Sequence, residues 1–160
     1  MRALTVRCPA KINTVLRVLG RRPDGYHELD TEFVSLALHD TLEIVPAARL
    51  SLEVAGDDSV PVEDNLVMRA ARALEAHAGR ALPARLRLVK RIPSAAGLGG
   101  GSSDAAAALV GLDRLHGLAT TSEELAALAL GVGSDVPYFL EGGRQRGRGR
   151  GEILTPLPDR

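Results

Sequence analysis

The segment 93–104 contains the residues best suited to chemistry, with four glycines followed by two serines. Glycine allows positive φ angles and close approach of the backbone to a ligand, and the free N–H groups at the start of a helix attract phosphate. The serine hydroxyls could bind phosphate or join a magnesium shell. The segment lacks the Gly-Lys-Ser/Thr ending of a P-loop and the G-x-G-x-x-G spacing of a dinucleotide site. A phosphate-binding loop is therefore favoured, with a simple tight turn as the alternative.

Elements of suitable periodicity flank this glycine loop. Residues 84–89 alternate apolar and charged side chains, which predicts a strand with Leu86 and Leu88 on one face. After Gly101, alanines and then leucines predict a helix that ends at Gly117. The loop is therefore expected to connect a strand to the start of a helix.

The sequence before the glycine loop predicts mainly strands. Short apolar alternation over residues 4–54 predicts several strands, interrupted by an exposed turn at 20–27 that is rich in Gly, Pro and Asp. Asp64 is a candidate N-cap for a helix that runs to about His77 and stops at Gly79.

Three segments follow the helix after the loop. Thr121 and Glu124 form a capping-box pattern that predicts another short helix. Residues 138–140, Tyr-Phe-Leu, are expected to form a buried strand. The Gly- and Arg-rich stretch 143–151 would present a basic stripe on one face of a strand. Because strands largely precede helices, the order of elements predicts an α+β domain.

Length and composition indicate one soluble globular domain. The chain has 160 residues, of which 45% are hydrophobic and 25% charged, and its formal net charge is zero. No overall field therefore attracts nucleic acid or an acidic membrane, and both are disfavoured as partners. Cys8 is the single cysteine, so a reducing, cytoplasmic location is expected and Cys8 is predicted to be a small buried hydrophobe. No signal peptide and no apolar run of spanning length are apparent.

Several motifs resemble those of the GHMP small-molecule kinases. Residues 93–107 resemble the nucleotide loop of that superfamily, and Pro-Ala-Lys-Ile-Asn at 9–13 resembles its opening motif. The segment 20–29, Gly-Arg-Arg-Pro-Asp-Gly-Tyr-His-Glu-Leu, resembles the branch that phosphorylates a methylerythritol linked to cytidine diphosphate. Segments at 63–66, 133–137 and 151–156 match the same branch in the same order. The resemblance covers nearly the whole chain and implies a ribosomal protein S5 domain 2-like N-terminal lobe.

The resemblance implies that ATP donates its γ-phosphate to the 2-hydroxyl of that substrate, in the non-mevalonate route to isoprenoid precursors. Mg²⁺ is expected with ATP, although no certain ligand is apparent beyond the hydroxyl of Ser102 or Ser103. Asn65 and Leu66 match positions around the adenine, and Lys90 precedes the loop; a helix-start amide, a core leucine and a solvated lysine are their ordinary alternatives. The other residues implied to bind ATP are those of the loop: Pro93, Ala95, Ala96, Gly97, Leu98, Gly99, Gly100, Gly101, Ser102 and Ser103.

Lys11 and Asp135 match the catalytic pair of the family. Phosphoryl transfer needs an oriented alcohol and positive charge near the transferred phosphate. The resemblance implies that Asp135 lies beside the substrate hydroxyl, while Lys11 keeps Asp135 ionised and meets the developing negative charge. Asp135 could accept the proton or chiefly orient the alcohol, and both roles remain open. Outside these motifs, a surface lysine and a turn aspartate would be expected.

Tyr26, His27 and Asn13 are implied to bind the substrate. A phenol face can stack on cytosine, and an imidazole can hydrogen-bond the polar edge of the base. The resemblance therefore implies that Tyr26 stacks on the cytidine, that His27 hydrogen-bonds it, and that Asn13 contacts the substrate near Lys11. An exposed loop tyrosine is the ordinary alternative.

Two features depart from the family pattern. Family members have a second half, so residues 1–160 are expected to be an N-terminal lobe whose C-terminal partner lobe is missing and would pack on it. Arginines also occupy positions 144–150, which are commonly small or apolar in the family. A solvent-facing strand is favoured there over an Arg-Gly segment that binds nucleic acid. Nucleotide binding without turnover and a different GHMP kinase activity are the remaining alternatives.

Overall fold

In the computed structural model, which describes residues 2–57 and 59–158, strand β2 (His27–Pro46) is the centre of a six-stranded sheet. Strand β1 (Leu4–Arg21) pairs antiparallel with it along one edge. On the other edge, β5 (Arg144–Gly149) pairs with the first half of β2 and β4 (Ala84–Val89) with the second half. Strand β3 (Ser51–Ala55) extends the sheet parallel to β4, and β6 (Ile153–Pro156) extends it antiparallel to β5.

Helices connect and cover these strands. Helix α1 (Leu66–Ala78) joins β3 to β4, and α2 (Gly100–His116) follows β4 through the glycine loop. Helices α3 (Ser122–Val132) and α4 (Tyr138–Glu141) lead to β5. Helix α2 packs on β1 and β2, with α1 beside it. This mixed sheet with packed helices confirms the predicted α+β class. No helix in the described part of the chain has the length and apolar character needed to cross a bilayer.

The sheet and helices meet in an apolar core that fixes the position of α2. Leu86 and Leu88 are fully buried, while the arginines between and beside them on β4 face outward, as predicted. Gly111 of α2 allows close contact with the sheet, because a Cβ there would lie 2.2 Å from Cδ1 of Ile44. Cys8 is fully buried in the same core, as predicted.

Several boundaries predicted from local patterns are confirmed. Helix α1 ends at Gly79 and α2 ends at Gly117, both in the left-handed conformation with φ of 64° and 61°. Thr121 and Glu124 form the predicted capping box of α3. Arg144, Arg146 and Arg148 alternate with buried residues on β5 and so lie on its outer side, as predicted, whereas Arg150 lies in the turn that follows the strand.

The expected strand at residues 138–140 is wrong, because these residues form the short helix α4. Pro137 has helical angles, with φ −56° and ψ −37°, and Gly142 ends the turn at φ 66°. Three consecutive apolar residues carry no periodicity that separates a strand from one helical turn. Tyr138 is nevertheless buried, as expected for the segment.

The prediction that Asp64 caps α1 is also wrong. Asp64 lies at the end of a 3₁₀ turn, Val62–Asp64, and the N-cap is the next residue, Asn65. The Asn65 side chain accepts a hydrogen bond of 2.9 Å from the N–H of Val67. Both residue types are good N-caps, so composition could not choose between neighbours.

Candidate active site

A cleft of about 540 Å³ lies beside the glycine loop. Its walls include both residues predicted to be catalytic, Lys11 and Asp135, together with Asn65, Leu66 and Lys90 and the loop residues 93–102. The cleft therefore brings together most residues predicted to bind ATP and the predicted catalytic pair, from four separate parts of the chain. A volume of this size is typical of small-molecule sites.

Backbone geometry makes the glycine loop suitable for an anion. Ala95, Gly97 and Gly99 have positive φ angles of 57°, 72° and 71°. Helix α2 starts at Gly100 and has Gly99 as its N-cap, with no capping side chain. The first N–H groups of α2 therefore have no acceptor within the helix, and with the helix dipole they favour a phosphate at this position.

Strand β1 holds Lys11 against this loop. The backbone N–H of Lys11 donates to the Leu98 carbonyl at 2.8 Å. Close packing also requires glycine at position 99, where a Cβ would lie 2.8 Å from Cζ of Phe139 and 3.1 Å from Cγ of Lys11. The pairing of β1 with β2 shifts register on both sides of the segment 11–13. Such irregularities change the direction of side chains, and here they flank Lys11.

The Lys11 ammonium lies between an amide and a carboxylate. Lys11 is only 6% exposed, donates to Asn13 Oδ1 at 2.7 Å and lies 3.5 Å from Asp135 Oδ2. The turn that carries Asp135 is anchored by buried Val136, while the Asp135 side chain is partly exposed in the cleft. An ammonium has three N–H groups, so Lys11 can keep both contacts and still donate to a phosphoryl oxygen.

Asn13 supports Lys11 from within the sheet. Its Nδ2 donates to Thr31 Oγ1 at 2.6 Å, and the Thr31 hydroxyl donates to the Val15 carbonyl at 2.7 Å. Asn13 is not among the residues that line the cleft, so its predicted contact with substrate stays a prediction. Thr31 is 1% exposed and was not identified from the sequence, because a threonine in a strand is an ordinary β-former.

Lys90 lies beneath the loop in a buried charge cluster. Its Nζ donates to Asp40 Oδ2 at 2.6 Å and to Asp104 Oδ2 at 2.8 Å, and both carboxylates are buried. Asp40 Oδ1 also accepts hydrogen bonds from the backbone N–H groups of Arg91 and Ile92 at the start of the loop. Lys90 therefore lines the cleft while its ammonium is ion-paired with two carboxylates, those of Asp40 and Asp104. These partners of Lys90 were not apparent from the sequence, because Asp40 and Asp104 lie in other elements.

This cluster contains one cation, Lys90, and two carboxylates, Asp40 and Asp104. Burial raises the pKa of Asp104 to about 7, an effect that Lys90 opposes only partly. Asp104 Oδ1 has no hydrogen-bond partner in the described structure. Burial acts to lower the pKa of Lys90, but the charge of Asp104 and the hydrogen bonds to Asp104 and Asp40 outweigh it and raise that pKa. Burial also raises the pKa of the Cys8 thiol, and the nearby carboxylates add to this effect.

The described part of the chain shows no cluster of acidic, histidine or cysteine side chains suited to a resident Mg²⁺. Within residues 2–57 and 59–158, no group of three or more His, Cys, Asp and Glu side chains could hold a metal ion. Of the two serines predicted as ligands, Ser102 lines the cleft. Ser103 is 2% exposed and lies outside the cleft lining, so the structure does not bring it to the site.

Tyr26 and His27 also lie outside the cleft, at the tip of the hairpin formed by β1 and β2. Tyr26 is 50% exposed, and the guanidinium carbon of Arg150 lies 4.1 Å from its ring centroid. His27 is exposed and begins β2. The hairpin thus joins the predicted base-binding residues to Lys11 and Asn13 nearer its base.

Comparison with known proteins agrees with this arrangement. A family model described as GHMP kinases N terminal domain matches residues 65–143. A 4-diphosphocytidyl-2-C-methyl-D-erythritol kinase of Paramagnetospirillum magneticum is 49% identical over 99% of this chain and 56% of its own length. The kinase of that name from Pelotomaculum thermopropionicum is 51% identical over 96% of this chain and 54% of its own. The chain therefore spans about half the length of the curated relatives it matches.

Solved structures share the architecture. A crystal structure of 4-(cytidine 5'-diphospho)-2C-methyl-D-erythritol kinase superposes with a TM-score of 0.82 at 44% identity, covering 96% of this chain and 55% of the other. Homoserine kinase from Cytophaga hutchinsonii has the same fold at 19% identity, with a TM-score of 0.75 over 99% of this chain and 53% of the other. Motifs, cleft and relatives agree, and the chain has the fold of a GHMP kinase N-terminal domain, matching that of a methylerythritol kinase.

Proposed function

We propose that this chain is the nucleotide-binding lobe of an ATP-dependent kinase that phosphorylates the 2-hydroxyl of 4-diphosphocytidyl-2-C-methyl-D-erythritol. The observation that carries the proposal is the ion pair of 3.5 Å between Lys11 and Asp135 in the cleft beside the glycine loop. The names of the relatives that match 95% or more of this chain support the same substrate.

The site suggests a direct transfer to the alcohol. The N–H groups at the start of α2 bind the terminal phosphates of ATP, with Asn65 and Leu66 on the adenine side of the cleft. Asp135 accepts a hydrogen bond from the substrate hydroxyl, whose oxygen attacks the γ-phosphorus as the bond to the ADP oxygen breaks. The hydroxyl proton passes to Asp135, and Lys11 offsets negative charge on the transferred phosphoryl group.

The long β1–β2 hairpin fits an elongated substrate. The methylerythritol end would lie near Lys11 and Asn13, and the cytidine end would reach Tyr26 and His27 at the hairpin tip. Mg²⁺ would arrive with the phosphates of ATP, and Ser102, at the start of α2, is one of the cleft side chains that offer a hydroxyl ligand. A C-terminal lobe, which the greater length of the relatives supports, would complete the substrate wall.

The test measures ADP formation by the full-length protein with ATP and the cytidine-linked substrate. Asp135→Asn and Lys11→Met each remove one member of the pair, and we expect each to lower kcat by about 10²–10⁴-fold. Arg85→Met, an exposed change on the outer side of β4, is the control and is expected to keep the parent rate.

Three outcomes separate the alternatives. Unchanged turnover in both site variants would reject the assigned pair. Binding of a non-hydrolysable ATP analogue without ADP formation would indicate a nucleotide-binding lobe without turnover. ADP formation with another alcohol, and none with the cytidine-linked substrate, would indicate a different GHMP kinase.

A further inference from the structure

The arginines on and just after β5 make two kinds of contact, ion pairs with carboxylates and a cation–π contact with a tyrosine. Arg144 and Arg146 lie against the carboxylates of Glu32 and Asp30 at 2.8 and 2.7 Å. Arg150, just beyond the strand, instead places its guanidinium over the ring of Tyr26, at 4.1 Å from the centroid. Tyr26 is half exposed, so one face of its ring is covered while surface remains open to solvent.

The turn that carries Arg150 is fastened to the hairpin. The Arg150 N–H donates to the Glu152 carboxylate, and the Gly149 N–H donates to Glu28 Oε1 at 3.2 Å. Gly149 and Gly151 both have positive φ, 69° and 105°, which gives the turn its tight path. Arg150 is therefore held beside the hairpin tip by its own backbone.

The backbone of Tyr26 is also fixed. Its carbonyl accepts from the Arg22 N–H at 2.7 Å, and its own N–H donates to Asp24 Oδ1 at 3.1 Å. The Arg22 guanidinium in turn binds Asp24 and Glu28. These bonds hold the main chain, whereas the described contact that holds the aromatic ring itself is the one with Arg150.

We propose that Arg150 is a positioning residue for base recognition, fixing the Tyr26 ring from one side so that a cytosine stacks on the other. This inference rests on the proposed function, which supplies a cytidine-linked substrate. A planar guanidinium stacks on an aromatic face in a way that a lysine ammonium does not. A ring already ordered in the free protein loses less conformational entropy when the base binds.

Calorimetric titration of the full-length protein with CDP tests the inference. Arg150→Met keeps side-chain length and removes the planar cation, and we expect the Kd for CDP to rise about three- to tenfold. The Kd for a non-hydrolysable ATP analogue is expected to stay unchanged. Arg148→Met is the matched control, because it removes one arginine from the outer side of the adjoining strand β5, and it should leave both Kd values unchanged.

A double-mutant cycle separates stacking from charge. In a Tyr26→Ala background, Arg150→Met should have no further effect on CDP binding, because the ring through which Arg150 acts is gone. Arg150→Lys should stay close to Arg150→Met. Full recovery by Arg150→Lys, or an equal loss in the Tyr26→Ala background, would show that Arg150 attracts the diphosphate by charge and would overturn the inference.

The remaining outcomes distinguish the inference from the proposed function. If the parent protein binds CDP and Arg150→Met binds it equally well, the inference fails and the proposed substrate stands. If the parent protein does not bind CDP, the proposed substrate and the inference fail together.

Discussion

Thr31 connects the sheet to the chemistry although it lies outside the cleft. Its hydroxyl accepts a hydrogen bond from the Asn13 side-chain amide and donates one to the Val15 carbonyl. Both bonds lie where the pairing register of β1 with β2 shifts. Asn13 then offers its carbonyl oxygen to the Lys11 ammonium. An amide whose nitrogen is fixed by Thr31 cannot rotate away, so the direction of Lys11 toward Asp135 depends on a buried hydroxyl.

Thr31→Val should lower kcat about tenfold, because the Asn13 amide loses its hydrogen-bond acceptor and no longer holds Lys11 in place. Leaving such a buried donor unsatisfied costs a free energy of about 1–3 kcal/mol. Thr31→Ser keeps the hydroxyl and should retain most of the parent kcat. Steady-state kinetics give kcat and the KM for ATP, and thermal unfolding gives the stability of each variant. If both variants instead lost kcat equally, and in proportion to their loss of stability, Thr31 would have a purely structural role.

Many of the side chains that line the cleft were predicted from the sequence, because the family motifs specify residue types. Lys11, Asp135 and the glycine loop each sit in a short segment with its own signature. Thr31 and Asp40 have no such signature, since their roles come from pairing with residues 18 and 50 positions away. Sequence patterns of short range could not reveal contacts that strand pairing creates.

The buried cluster around Lys90 joins three elements at the entrance to the glycine loop. Asp40 belongs to β2, Asp104 to α2, and Lys90 follows β4. Because Asp40 also binds the first backbone N–H groups after Lys90, the cluster sets where the loop leaves the sheet. Lys90 therefore supports the shape of the loop, whichever contact it makes with ATP.

Lys90→Met should destabilise the chain by about 3–5 kcal/mol near pH 8, because it leaves buried carboxylates without their cation. The deficit should shrink as pH falls from 8 toward about 7 and then level off. Lys90 lowers the pKa of Asp104, which is about 7 in the parent protein, so without Lys90 the buried Asp104 takes up its proton at a higher pH and no longer needs a cation. The sign follows from a raised native pKa: the folded state binds this proton more tightly than the unfolded state, so acid favours folding at this group.

Urea unfolding at pH 5, 7 and 8 measures this dependence, with Arg85→Met as the control for loss of a basic residue on β4. Weaker ATP binding by Lys90→Met at unchanged stability would instead make Lys90 a direct ligand of the nucleotide.

Elements with a clear periodic pattern were predicted correctly, whereas the type of the short apolar segment 138–140 was not. Helices α1, α2 and α3 have caps and apolar faces that agree with each other. Residues 138–140 are too few to show a period. The segment forms one helical turn between Pro137, which has helical backbone angles, and Gly142, whose positive φ ends the turn.

At the scale of the whole molecule, charge is balanced both overall and locally. The formal net charge is zero. Across the pairing of β5 with β2, the outward arginines meet acids on the neighbouring strand, with Arg146 held by both oxygens of Asp30. An Arg-Gly segment that binds RNA needs free cations along an open backbone, whereas here the arginines belong to a paired strand.

We therefore expect RNA binding weaker than about 100 μM at physiological salt, the weak end of non-specific affinity. Fluorescence anisotropy with a labelled single-stranded RNA at 50 and 200 mM salt measures it. Asp30→Asn combined with Glu32→Gln should strengthen the binding, because it removes acids that neutralise the stripe. Micromolar affinity in the parent chain, falling steeply with salt and lost on Arg146→Met with Arg148→Met, would contradict this account and make the outer side of β5 a nucleic-acid surface. Unchanged weak binding after loss of both acids would instead show that strand pairing, and not charge balance, keeps RNA away.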